Sequence, residues 1–110
     1  MSKELQLVEK VRADVESEGA VPTDYAEDFS NFVFDGGNLY ARRAVRKLCE
    51  GTPLHPNDEV VEAIIDSYVT GVVEPVRLED ADDVRARRES LVAFLRQFKD
   101  ELEKSPAYQD

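Results

Sequence analysis

Apolar residues return at helical spacing in five separate stretches of this chain. The most continuous is Asn57–Val73, where Val60, Val61, Ile64, Ile65, Tyr68, Val69 and Val72 repeat at i, i+1, i+4, i+5, the signature of a wide buried helix stripe. Its charged positions, Asp58, Glu59, Glu62 and Asp66, are all negative. The pattern predicts a helix at about 58–70, capped by Asn57, that is the most buried element of the protein.

The other stretches read the same way. Leu5, Val8, Val11 and Val15 form a narrower stripe in a helix at about 3–18, capped by Ser2 and stopped by Gly19. Tyr25, Phe29, Phe32 and Val33 share a face at about 24–34, an aromatic stripe read as core, with Thr23 or Asp24 as cap and Asp24–Glu27 at capping-box spacing. After the turn Asp35-Gly36-Gly37-Asn38, Leu39, Ala41, Ala44, Val45, Leu48 and Cys49 predict a helix at about 39–50, with Asn38 as cap and Gly51 ending it. Val84, Arg88, Leu91, Leu95, Phe98 and Leu102 step by four and three through a helix at about 81–104 that starts at Asp80. At 1.5 Å per residue it spans roughly 36 Å, the longest of the five.

The connections carry the breakers. Pro22 and the pair Pro53 and Pro56 fall between stripes. Val72–Val76 reads as a short extended link, because no second β-type run exists to pair with it. Ser105–Asp110 reads as a tail. The expectation is an all-α protein: a compact bundle of about five helices, one domain over 1–104 and a short C-terminal tail at 105–110.

Composition agrees with a folded domain. The chain has 110 residues, 42% hydrophobic and 35% charged, a size at which about two thirds of the unfolded surface is buried without disulfide or metal support. One cysteine, Cys49, cannot close an internal disulfide. The first ten residues carry charges where a signal peptide has an apolar core, and no apolar run approaches the roughly 20 residues that span a bilayer. These features predict a cytoplasmic protein without a membrane partner.

Charge changes the picture most. The net charge is −10, which opposes general binding to a phosphate backbone; it fits an acidic surface that keeps the protein soluble and permits a basic protein partner. It is distributed unevenly: residues 1–37 carry −6, 38–51 carry +3, 52–75 carry −5 and 76–110 carry −2. A basic helix with Tyr40, Arg42, Arg43, Arg46 and Lys47 is thus followed by an acidic one with the row Asp58, Glu62 and Asp66. Like charges four residues apart weaken an isolated helix by a few tenths of a kcal/mol per pair, so each row calls for opposite charge nearby. Either the rows meet each other across two antiparallel neighbours, or one of them faces a partner.

On this basis the chain reads as a small acidic helical protein that acts by protein–protein interaction, as a regulator, inhibitor or accessory subunit. Those eight residues are the candidate interaction set. The alternative is a DNA-binding regulator in which 24–34, the DGGN turn and 39–50 form a helix-turn-helix-like arrangement. Catalysis has no support: His55 is the single histidine, and Glu62 and Asp66 lack the Glu-x-x-His partners of bundle metal sites. The glycine pair 36–37 lacks the Lys-Ser/Thr of a phosphate loop. No catalytic residue, metal or cofactor is expected. The long 81–104 seam offers a surface on which a second copy of the chain can pair.

Overall fold

The computed structural model of the protein describes residues 2–17, 21–74 and 80–108. It is all-helical. Five helices, α1 (Lys3–Glu16), α2 (Thr23–Phe34), α3 (Asn38–Cys49), α4 (Asp58–Val73) and α5 (Ala81–Glu103), are followed by a 3-10 turn at Pro106–Tyr108. No strand occurs among the described residues.

Three helix starts follow the expected chemistry. The Ser2, Asn57 and Asp80 side chains accept from the backbone N–H of Leu5, Val60 and Asp82 at 3.2, 2.9 and 2.8 Å, which satisfies donors that the first turn leaves free. Two starts differ. α2 begins one residue early at Thr23 with Pro22 in the cap position and no side-chain cap bond, so Asp24 lies in the first turn, where the helix dipole favours it. α3 begins at Asn38, with Gly37 as its cap residue. The Asn38 side chain reaches back across the turn instead, donating to the Val33 carbonyl at 3.2 Å and accepting from Arg42 Nε at 2.9 Å.

The helix ends differ as well. α1 closes at Glu16 with Ser17 as cap, and the Gly19 stop lies outside the described residues. Gly51, at φ +80°, follows the end of α3 and supplies the left-handed backbone its turn requires. α4 runs on through Val72 and Val73 to Glu74. Val72 is buried there, so apolar burial draws the last turn into the helix where an extended link was expected; residues 75 and 76 lie outside the described set.

The centre of the bundle is α5, not α4. α5 packs along α1 on one side and α3 on the other, while α4 rests mainly on α2 and α3. Leu91, Phe94, Leu95, Phe98 and Leu102 of α5 are all buried, joined by Leu5, Val8 and Val11 of α1. Length explains the difference. A helix of 23 residues reaches every other element, whereas the wide α4 stripe is only partly covered: Val61, Ile65, Val69 and Val72 point inward, Ile64 is partly buried, and Val60 is 45% exposed.

Aromatic rings tie these layers together. Tyr68 stacks on Phe94 at 4.6 Å, Phe94 on Phe98 at 5.8 Å, and Phe98 meets Phe29 edge-on at 6.2 Å. Phe32 continues the chain of rings to Tyr108, and Tyr108 to Tyr40, at 5.7 and 5.5 Å. The described part of the segment expected as a tail, residues 105–108, is therefore docked: Ser105 is buried, its hydroxyl lies 2.8 Å from Tyr40 Oη, and Tyr108 Oη donates to the Gly36 carbonyl at 3.3 Å.

Candidate protein-interaction surface

The two charge rows of the sequence lie side by side. α3 and α4 are joined by a short link and run antiparallel, so residues descending α3 meet residues ascending α4. Arg46 Nη2 donates to Asp58 Oδ1 at 2.5 Å, and its Nη1 donates to the Pro56 carbonyl at 3.1 Å. One turn further, Arg42 Nη2 lies 2.6 Å from Glu62 Oε1, a close ion pair without hydrogen-bond geometry. These pairs are half-exposed, so each contributes about 0–1 kcal/mol. Their larger effect is on the surface: with Lys47 paired to Glu50, three of the four α3 cations are already neutralised by the protein's own carboxylates.

The remaining predicted residues are not drawn into that contact. Arg43 lies over the Tyr40 ring at 5.7 Å, Lys47 pairs with Glu50 at 3.2 Å, and Asp66 is exposed with no ion pair among the described residues. Tyr40 is held by Ser105 and Tyr108.

A second charge network lies beyond what sequence spacing shows. Glu9 accepts from Arg12 Nη2 at 2.5 Å and from Lys99 at 2.9 Å; Arg12 also pairs with Glu16, which accepts from Arg96 at 2.5 Å. Five alternating charges thus close the seam between α1 and α5. The hydrogen bond from Arg12, then the one from Lys99, holds the Glu9 carboxyl well below its usual range, down to about 2. The same bond raises the Arg12 pKa. The i,i+3 and i,i+4 spacings of Glu9, Arg12 and Glu16 are local, but Arg96 and Lys99 stand 80 to 90 residues away.

With Arg42, Arg46 and Lys47 of α3 and Glu9, Arg12 and Glu16 of α1 paired internally, unbalanced charge remains on α2. No Lys or Arg occurs anywhere between Arg12 and Arg42. Asp24, Glu27, Asn31 and Phe34 step by three and four along one face of α2, and all four are exposed. Asp24, Glu27 and the following Asp35 have no ion pair among the described residues. Phe34 is 44% exposed at the end of this row, and Leu39, 53% exposed, follows across the turn. On the other flank of the helix, Tyr25 and Asp28 line a groove with Lys3 and Lys10, and Lys10 sits 5.0 Å over the Tyr25 ring. The α2 aromatics therefore divide: Phe29 is core and Phe32 partly buried, while Tyr25 and Phe34 face outward.

No family model, curated protein or solved structure matches this chain. No cluster of three or more His, Cys, Asp or Glu with metal-binding geometry occurs among the described residues. No helix there is long and apolar enough to cross a membrane.

Proposed function

We propose that the protein acts by binding another protein, and that the contact is made by the outward face of α2. The observation that carries this is the row Asp24–Glu27–Asn31–Phe34: carboxylates without a cation of their own, ending in an exposed ring. An exposed aromatic beside unpaired charge of one sign has the form of an interface anchor with a polar rim. Its complement is a basic segment with an apolar side chain, such as an amphipathic helix rich in Lys and Arg. A regulator, inhibitor or accessory subunit in the cytoplasm fits this surface. The DNA-binding alternative is weakened by the contacts of α3, because Arg42 and Arg46 would have to leave Glu62 and Asp58 to reach a phosphate.

Affinity capture from native extract, with nuclease treatment, tests the proposal when wild type is compared with Asp24→Asn/Glu27→Gln/Phe34→Ala. A protein retained by wild type and lost by the triple variant supports it. Retention by both contradicts the placement on α2, and a nuclease-sensitive signal that survives the triple change favours DNA.

A further inference from the structure

One outer stripe of α4 carries no charge. Val60, Ala63, Ile64, Ser67, Thr70 and Gly71 share it at helical spacing and none is ionisable, while the exposed Glu59 and Asp66 lie along its far edge beside Ala63 and Thr70. In a chain with 35% charged residues and net charge −10, three turns without a charge stand out. Val60, Ala63, Ser67 and Thr70 are exposed, and Ile64 and Gly71 are half-buried.

This face borders a groove. Ile64, Ser67, Tyr68 and Gly71 form one wall, and Ala86, Arg87, Ser90 and Leu91 of α5 form the other, around a volume of about 430 Å³. Tyr68 Oη and Ser90 Oγ meet at 3.1 Å across its floor. The α5 seam expected to pair with a second copy is unavailable, since Leu91, Leu95, Phe98 and Leu102 are buried in the bundle. Ala86, Arg87 and Ser90 of the α5 wall belong to a different stripe, turned by about a quarter of the helix circumference from that seam, and Asp83 extends the stripe by one turn toward the helix start. Asp83 and Arg87 are exposed, and neither has an ion pair among the described residues.

We infer that this groove is where two copies of the chain associate, with the first half of α5 from one copy lying antiparallel against the same stretch of the other. The charges select this occupant. In an antiparallel pair of identical helices about a two-fold axis, Asp83 meets Arg87 of the partner subunit, and the reverse pair forms by symmetry. Ala86 and Ser90 are small enough to let the backbones approach. The uncharged α4 face is the side on which two bodies of charge −10 meet without stacking like charges. Elsewhere, as along α2, a second copy would bring carboxylates against carboxylates. This association uses no residue of the α2 contact proposed above, and either can hold without the other.

Sedimentation velocity of the full chain over a concentration series, up to on the order of 100 µM, reads the association directly. Wild type is expected to shift from monomer to dimer within that range. Asp83→Arg and Arg87→Asp alone each place like charges together, and each is expected to weaken association about tenfold. The combined swap restores the complementarity and is expected to recover the wild-type constant. Both positions are exposed, and circular dichroism of each variant checks that the bundle is intact. A wild-type monomer throughout the range overturns the inference. So does a dimer indifferent to the single swaps, or one that the double swap fails to rescue.

Discussion

The turn between α2 and α3 gives the sharpest quantitative prediction, because two adjacent glycines should respond to the same change with opposite sign. A methyl group on Gly37 would sit 2.9 Å from Phe32 Cε2, 3.0 Å from Cζ and 3.1 Å from Cδ2. That is inside the contact distance of two carbons, against a ring face. The ring cannot step aside freely, since Phe98 lies 5.9 Å from it and Tyr108 5.7 Å, centroid to centroid. Overpacking of this kind costs about 1–3 kcal/mol, against about 0.4–1 kcal/mol gained by restricting the unfolded chain. Gly37→Ala should therefore lose about 1–2 kcal/mol, or several degrees in Tm. At Gly36 the nearest atom is Tyr108 Oη at 3.5 Å, ordinary contact, so Gly36→Ala should be neutral or slightly stabilising. Urea denaturation followed by circular dichroism measures both. Near-ultraviolet dichroism should change only for Gly37→Ala, because only that change moves the ring cluster. Equal stability for the two variants would refute the reasoning.

Three further outcomes follow from the charge contacts and caps. A double-mutant cycle on Arg42→Gln and Glu62→Gln should give a coupling of about 0.5–1 kcal/mol by urea denaturation, falling in high salt; zero coupling at low salt would show the pair to be idle. Glu9 has a folded pKa of about 2 against 4.5 in the unfolded chain, so its contribution is present above pH 4.5 and drains away as pH falls toward 2. With the side chain 33% exposed, screening limits that contribution to about 1 kcal/mol; Glu9→Gln should lower stability at pH 7 by this amount and flatten the acid limb, and an unchanged acid limb would contradict the assignment. Asn57→Ala removes the acceptor for the Val60 N–H and should cost about 1 kcal/mol of thermal or urea stability.

Periodicity made the helices and most inward residues readable in advance. Leu5, Val8 and Val11, the α5 seam from Leu91 to Leu102, and the alternation within α4 all depend on spacing along one element. The hierarchy among helices was not readable, because the breadth of the α4 stripe is a local property while the cover it receives is not. Val60 and Ile64 belong to that stripe by spacing, yet α2 and α3 cover only its inner side. The expected α3 cap failed for a reason of geometry. The tight DGGN turn brings the Val33 carbonyl within reach of the Asn38 side chain, which binds there and leaves the cap position to Gly37. The docking of Ser105 and Tyr108 and the α1–α5 charge network rest on partners 65 to 90 residues away, which no local pattern encodes. Of the candidate interaction set, the pairing of Arg42 and Arg46 with α4 was one of two arrangements the sequence allowed. The outward α2 row became visible only once those cations were seen to be engaged.

Whether the α2 face contacts a basic partner, as proposed, is the central question for this protein. A ¹⁵N NMR titration of the full chain with a Lys-rich amphipathic peptide carrying one leucine face answers it residue by residue. Shifts concentrated on Asp24–Asp35 and Leu39, and abolished by Asp24→Asn/Glu27→Gln/Phe34→Ala, are the predicted result. Shifts centred instead on Asp58, Glu62 and Asp66, surviving the triple change, would contradict the α2 proposal and return the interaction to the α4 row.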